Sequence, residues 1–129
     1  MPNESTPLTQ AHLTTSETIE TLLQRRSIRK YNNEPVTDEQ VDAILRAAFR
    51  APTSSNIQSY SVITVRDPET KQKLSVPTGN QKHIIDCPVF LAFCADLTRL
   101  EHVLQGHGHT LEDNNMEIGL VSSIDASLV

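Results

Sequence analysis

Glycine is scarce in this chain, with four in 129 residues. No GxGxxG or P-loop pattern occurs among them, which removes the two glycine-rich loops that most directly signal a phosphate cradle. Cysteine is scarcer still: Cys87 and Cys94 are the only two. They are separated by an apolar run and form no CxxC pair, so they read as free buried thiols of a reducing compartment and not as a disulfide framework. Aromatics make up 4% of the residues and the formal net charge is −5. A nucleic-acid or anionic-membrane binder usually needs a basic face, and a single-strand binder needs stacking aromatics, so both classes are disfavoured. No apolar run nears the roughly 18 residues of a membrane span. The opening MPNESTPLTQAHLTTSE has neither the basic start nor the apolar stretch of a secretory signal. The expectation is a single cytoplasmic domain with no membrane or nucleic-acid partner.

What is present is organised by helix caps and apolar periodicity. Residues 1–14 read as a loose, disordered tail. Thr14 and Glu17 have capping-box spacing ahead of Ile19, Leu22 and Leu23, which predicts a helix over 16–25. Thr37 and Gln40 repeat that spacing before the stripe Val41, Ile44, Leu45, Ala48, Phe49, and Pro52 stops this second helix by residue 51. SYSVITVR predicts a strand over 59–66. Asp67-Pro68-Glu69 then opens a short helix to about residue 74. PVFLAFCA, residues 88–95, is an uninterrupted apolar run of strand length, the kind buried on both faces with a helix on each side. Asp96 is the candidate cap for a helix through Leu104. Leu120, Val121, Ile124 and Leu128 have helical spacing up to the final residue, with no terminating signal, which predicts that the domain and its sheet continue beyond this chain.

Four of the eleven basic residues fall within residues 25–30 of QRRSIRKY. Guanidinium groups present forked donors that match phosphate oxygens, and an irregular segment lets Arg25, Arg26, Ser27 and Arg29 converge. A solvated basic helix end, favourable to the helix dipole, explains the same spacing slightly better when the segment is taken alone. PTSSNIQ, residues 52–58, offers hydroxyls and amides to the polar edge of a heterocycle, though an ordinary Ser/Asn loop is the simpler reading of that stretch by itself. His102, His107 and His109 lack the nearby Cys or the i, i+4 partner of a metal site, so none is assigned. No carboxylate pair suggests acid/base work, and neither cysteine has the electropositive surroundings of a thiolate.

In order, RRSIRKY after an amphipathic helix, PTSSNIQSYSVITV, and TGNQKHI leading into PVFLAFCADLTR resemble the nitroreductase family, in its oxygen-insensitive NAD(P)H nitroreductase and flavin reductase branch. The resemblance runs from residue 17 to the end, with 102–115 least characteristic. It implies an α+β fold, a three-layer α-β-α sandwich of which this chain is an incomplete N-terminal part, with residues 15–129 the truncated domain. It implies FMN as cofactor and NAD(P)H as co-substrate. It also implies ping-pong hydride transfer through flavin N5 to nitroaromatics, quinones or free flavin, in a homodimer with flavin at the interface. Residue by residue, Arg25, Arg26, Ser27 and Arg29 would hold the FMN phosphate and ribityl chain, with Arg25 standing where many relatives carry histidine. Thr53, Ser54 and Asn56 would lie by the isoalloxazine ring, often that of the opposite subunit, and Gln81 would meet the flavin's polar edge. Protein-side covalent catalysis is not needed, because the cofactor carries the chemistry. The alternatives are a non-catalytic module that holds another phosphate, or an inactive fragment.

Overall fold

The computed structural model of the chain describes residues 15–112 and 116–129, so the tail expected over residues 1–14 lies outside the described residues. Helices begin where a side chain can take the unpaired amides of a first turn. Ser16 does so for α1 (Glu17–Gln24), accepting from the Ile19 amide at 3.3 Å. The capping box expected from Thr14 thus has its first member outside the described residues. At α2 (Asp38–Ala48) the expected box is formed: Thr37 Oγ1 accepts from the Gln40 amide at 3.3 Å and Gln40 Oε1 accepts from the Thr37 amide at 2.9 Å. A single 3₁₀ turn, Ser54–Asn56, precedes strand β1 (Tyr60–Val65). Asp67 caps α3 (Pro68–Ser75) through the Thr70 amide at 2.7 Å. The five-residue α4 (Lys82–Asp86) is not expected from the sequence: it is too short to show a period, and Gln81 before it makes no side-chain cap.

Strand β2 (Phe90–Ala95) pairs antiparallel with β1, from Tyr60 opposite Ala95 to Val65 opposite Phe90. The Asp96 amide prolongs the ladder by donating to the Ser59 carbonyl at 3.0 Å. Asp96 then opens α5 (Thr98–Gly106), its Oδ1 accepting from the Thr98 amide at 2.9 Å while the Ser61 hydroxyl donates to its other oxygen. The last helix, α6 (Met116–Leu128), lies across both strands, and α3 packs on α4 in the connection between them. Among the described residues no helix is long and apolar enough to cross a membrane.

The apolar core among the described residues is thin: Val41, Val65, Ile84 and Cys87 are buried. One expectation is corrected here. The run 88–95 was expected to be buried on both faces, yet no residue of β2 itself is fully buried. Phe93 is 40% and Ile63 54% exposed, and the register puts them on opposite faces, so neither face is closed. The reason is area: one helix of 13 residues cannot cover both faces of even two strands. Helix α1 likewise buries none of its residues and leaves Leu22 and Leu23 exposed.

The Ser61 hydroxyl bond, more than any other contact, draws the Asp96 carboxyl down from 3.8 to about 2, with the Thr98 amide next in effect. Because the folded-state value lies below the unfolded one, this stabilisation is fully present above the ordinary carboxylate range and is lost as pH falls through about 2. Ser61→Ala should therefore move the Asp96 titration upward toward 3.8, as read by carboxyl-carbon NMR; an unmoved midpoint would contradict the Ser61 assignment.

Candidate functional site

The basic segment starts at the C-terminus of α1. Arg25 is the C-cap, its own amide donating to the Leu22 carbonyl at 3.2 Å, and its φ −59, ψ 132 turns the chain out of the helix. Arg26, Ser27 and Arg29 follow on an exposed segment without regular structure. The helix dipole acts over the last turn only, so it accounts for Arg25 and not for Arg29 four residues further along. The ion pairs among the described residues are Arg46–Asp42, Arg66–Asp38 and Lys82–Asp86. None includes a member of the cluster, whose guanidinium groups also make no side-chain hydrogen bond there.

The segment's end meets the turn that carries Gln81. Ile28, Lys30 and Tyr31 line a groove of about 520 Å³ with Asn32, Gln40 and Pro88. Tyr31 also belongs to a second groove of about 350 Å³, with Thr78, Gln81, His83, Cys87 and Phe90. Gln81 is exposed, and its Nε2 donates to the Thr78 carbonyl at 2.9 Å. Tyr31 thus brings the end of RRSIRKY beside the NQKH turn, whereas Arg25, Arg26, Ser27 and Arg29 line neither groove.

The PTSSN loop stands elsewhere. Thr53 is half-buried, whereas Ser54 and Asn56 are exposed. Ser54 lines a largely apolar cavity of about 250 Å³ with Ile57, Leu97, Leu100, Ile118 and Val121. None of the cavities described here is lined by both this loop and the basic segment. The loop's backbone is unusual: Ser55 (φ 50), Asn56 (φ 55) and Gln58 (φ 55) all lie in the left-handed region without being glycine. Each costs on the order of 1 kcal/mol or more and persists only where its surroundings impose it. Asn56 Oδ1 accepts from Gln58 Nε2 at 3.3 Å, leaving the Asn56 amide nitrogen as a donor.

Two residues overlooked in the sequence hydrogen-bond to that loop. From α6, the fully buried Asp125 accepts from the Ser54 amide at 3.0 Å and from the Ser59 hydroxyl at 3.3 Å. From α5, Arg99 donates to the Gln58 carbonyl at 2.5 Å and to the Ile57 carbonyl at 3.3 Å. The available signal for Asp125 was a carboxylate next to Ile124 in the otherwise apolar and small-residue stretch that follows Glu117 in α6. Arg99 had no sequence signal beyond its place in the first turn of α5.

Cys87 is not as isolated from positive charge as its sequence neighbours suggested. Lys71, itself buried, donates through Nζ to the Cys87 carbonyl at 2.5 Å. Burial nonetheless dominates and raises the thiol's pKa, against the opposing pull of Lys71. Its Sγ sits 3.1 Å from the Ile84 carbonyl, in donor geometry. A thiol reagent at neutral pH should thus label the half-buried Cys94 well before Cys87, read by mass spectrometry of the peptides; faster labelling of Cys87 would refute this ordering. Among the described residues no group of three or more His, Cys, Asp or Glu side chains is placed to hold a metal ion.

Comparison with known proteins bears on the whole arrangement. A family model described as the nitroreductase family matches residues 22–103. The chain is 42% identical over 115 residues to an FMN reductase (NADPH) of Bacillus subtilis, an alignment covering 88% of this chain and 46% of that protein. It is 44% identical over 84 residues to an oxygen-insensitive NADPH nitroreductase of Salmonella typhimurium, covering 65% of this chain and 35% of that one. Among solved structures, B. megaterium NfrA2 superposes with a TM-score of 0.84 at 39% identity, over 88% of this chain and 47% of that chain. The chain spans about half the length of the curated relatives it matches.

Proposed function

The chain belongs to the nitroreductase family, and on that premise we propose that it forms one wall of an FMN site in a cytoplasmic, NAD(P)H-dependent oxidoreductase. The observation that carries the reading is the unpaired state of Arg25, Arg26 and Arg29 among the described residues, in a protein of net charge −5. Guanidinium groups left without a carboxylate are suited to an external dianion, and a phosphate monoester takes their forked donors bidentately. Ser27 adds a hydroxyl donor. Gln81 offers an amide at the adjoining groove, able to meet the polar edge of a planar heterocycle. The donor set therefore fits FMN. When bound, FMN supplies two-electron hydride transfer from NAD(P)H to an acceptor such as a nitroaromatic, a quinone or free flavin. The chain's own part is to bind the phosphate, orient the ring and offer donors to it.

The separation of the PTSSN loop from the basic segment supports a site shared between two copies, with Thr53, Ser54 and Asn56 of one copy facing flavin held by the other. Helix α6 supports such pairing. Met116 (89% exposed), Leu120 (58%), Ile124 (47%) and Leu128 (54%) recur every fourth residue along its outer side. Its inner side buries Ser122 and Asp125. An outward apolar row at that spacing is a packing ridge for another helix. Leu120→Lys should shift the protein from dimer toward monomer in sedimentation velocity, and an unchanged dimer would exclude α6 from the interface.

The purified protein should show FMN-like visible absorbance and oxidise NAD(P)H with a nitroaromatic or flavin acceptor. A colourless protein that ignores added FMN would leave the readings as a non-catalytic phosphate-binding module or an inactive fragment. Loss of a charged hydrogen bond is worth roughly 1.5–3 kcal/mol, about one to two decades in affinity. Arg29→Ala should accordingly weaken FMN by about tenfold or more while riboflavin, lacking the phosphate, changes little. Equal losses for both ligands in fluorescence titrations would dismiss a phosphate role.

A further inference from the structure

Asp125 has the environment of a side chain kept for what it holds. It is fully buried, it sits on the inner side of α6 next to buried Ser122, and no cation pairs with it among the described residues. Both of its oxygens are directed at one target: Oδ1 takes the Ser54 amide at 3.0 Å and Oδ2 takes the Ser59 hydroxyl at 3.3 Å. These two donors bracket residues 54–59, the stretch in which Ser55, Asn56 and Gln58 occupy the left-handed region. An apolar side chain of similar size would fill the space against the sheet equally well. It would leave the Ser54 amide without its partner and let the turn relax.

We propose that Asp125 is a positioning residue that fixes the loop carrying Thr53, Ser54 and Asn56 in its ligand-facing conformation. For the identity of that ligand, FMN, the proposal rests on the function proposed above. Asp125 does not touch the ligand in this scheme; it acts through Ser54 and Ser59. Arg99 closes the other end of the same loop through the Ile57 and Gln58 carbonyls. The loop is thus anchored by an acid from α6 at its entry and a base from α5 at its exit. The acid anchor alone engages a residue assigned to the site.

The test compares Asp125→Ala, Asp125→Asn and Ser59→Ala in the full-length protein, reading amide exchange by NMR and FMN affinity by fluorescence quenching. Asparagine retains one acceptor oxygen for the Ser54 amide, and Ser59 can reorient to accept from its nitrogen. The expected result is at least tenfold faster exchange of the Ser54 amide in Asp125→Ala, with the β1–β2 ladder amides unchanged. FMN affinity falls by a similar factor, Asp125→Asn recovers most of both losses, and Ser59→Ala gives a smaller loss of each. Uniformly faster exchange throughout the chain, without rescue by asparagine, would overturn the proposal in favour of general core stability. Faster Ser54 exchange with unaltered FMN affinity would overturn it too. If the unmodified protein takes up no FMN, the flavin reading fails by itself; a Ser54-selective response with asparagine rescue would still establish the anchoring. Should Asp125→Ala not fold, Ser59→Ala and Asp125→Asn carry the same comparison, and an unchanged Ser54 amide in both Ser59→Ala and a folded Asp125→Leu would overturn it.

Discussion

The carboxylate of Asp125 is the point on which the arrangement turns. Taking a carboxyl group out of water is costly unless donors meet it, and here the donors come from a segment 66 to 71 residues away in sequence. Satisfying them requires α6 to lie across the sheet, the PTSSN loop to fold back under the helix, and Ser59 to stand just ahead of β1. Once Ser59 is there, its carbonyl receives the Asp96 amide and continues the β1–β2 ladder. Asp96 is then placed to accept from Ser61 and to start α5. α5 in turn brings Arg99 back to the far end of the same loop. A chain of polar contacts thus fixes geometry that the thin apolar core could not fix by itself.

The polar and apolar parts of α6 explain one another. In a helix packed on its own sheet the inner side is ordinarily apolar and the outer side polar. Here Ser122 and Asp125 are inside, and Met116, Leu120, Ile124 and Leu128 are outside. The inner side is spent on holding a loop, and the outer side is left with most of the helix's large apolar surface. Leu22 and Leu23 on α1 and Phe49 at the end of α2 are exposed in the same way. Exposed apolar surface of this extent is characteristic of regions covered by another element or another copy.

How much of this could be read from sequence depended on range. The α2 capping box and the Asp67-Pro68 start of α3 rest on contacts within a few residues, and the two strands show in their local β-branched and apolar composition, so all lie close to where the sequence placed them. The coverage of residues 88–95 did not follow, because a continuous apolar run reports a tendency to be buried and says nothing of which elements are at hand to do it. In the site, the groove that Tyr31 and Gln81 share and the apartness of the PTSSN loop depend on tertiary placement, which the order of motifs does not specify. Asp125 and Arg99 were not legible: each acts on a backbone group or hydroxyl more than 40 residues distant, and such partners leave no local pattern. The left-handed Ser55, Asn56 and Gln58 were equally hidden, since neither serine nor glutamine signals that conformation as glycine would.

On the proposed reading these features are thermodynamically coupled. A cofactor whose phosphate is held by Arg25, Arg26 and Arg29 of one copy, and whose ring is faced by Ser54 and Asn56 of another, binds the assembled state and not the separated chains. Any such ligand adds its binding free energy to the association it bridges. The loop must also be in one conformation in advance, because ordering three strained residues at the moment of binding would subtract directly from affinity. Asp125 supplies that order from the inner side of the helix whose outer side offers the apolar row. Anchoring of the loop and pairing of copies are therefore two consequences of how a single helix is seated, and a change that tilts α6 would disturb both together.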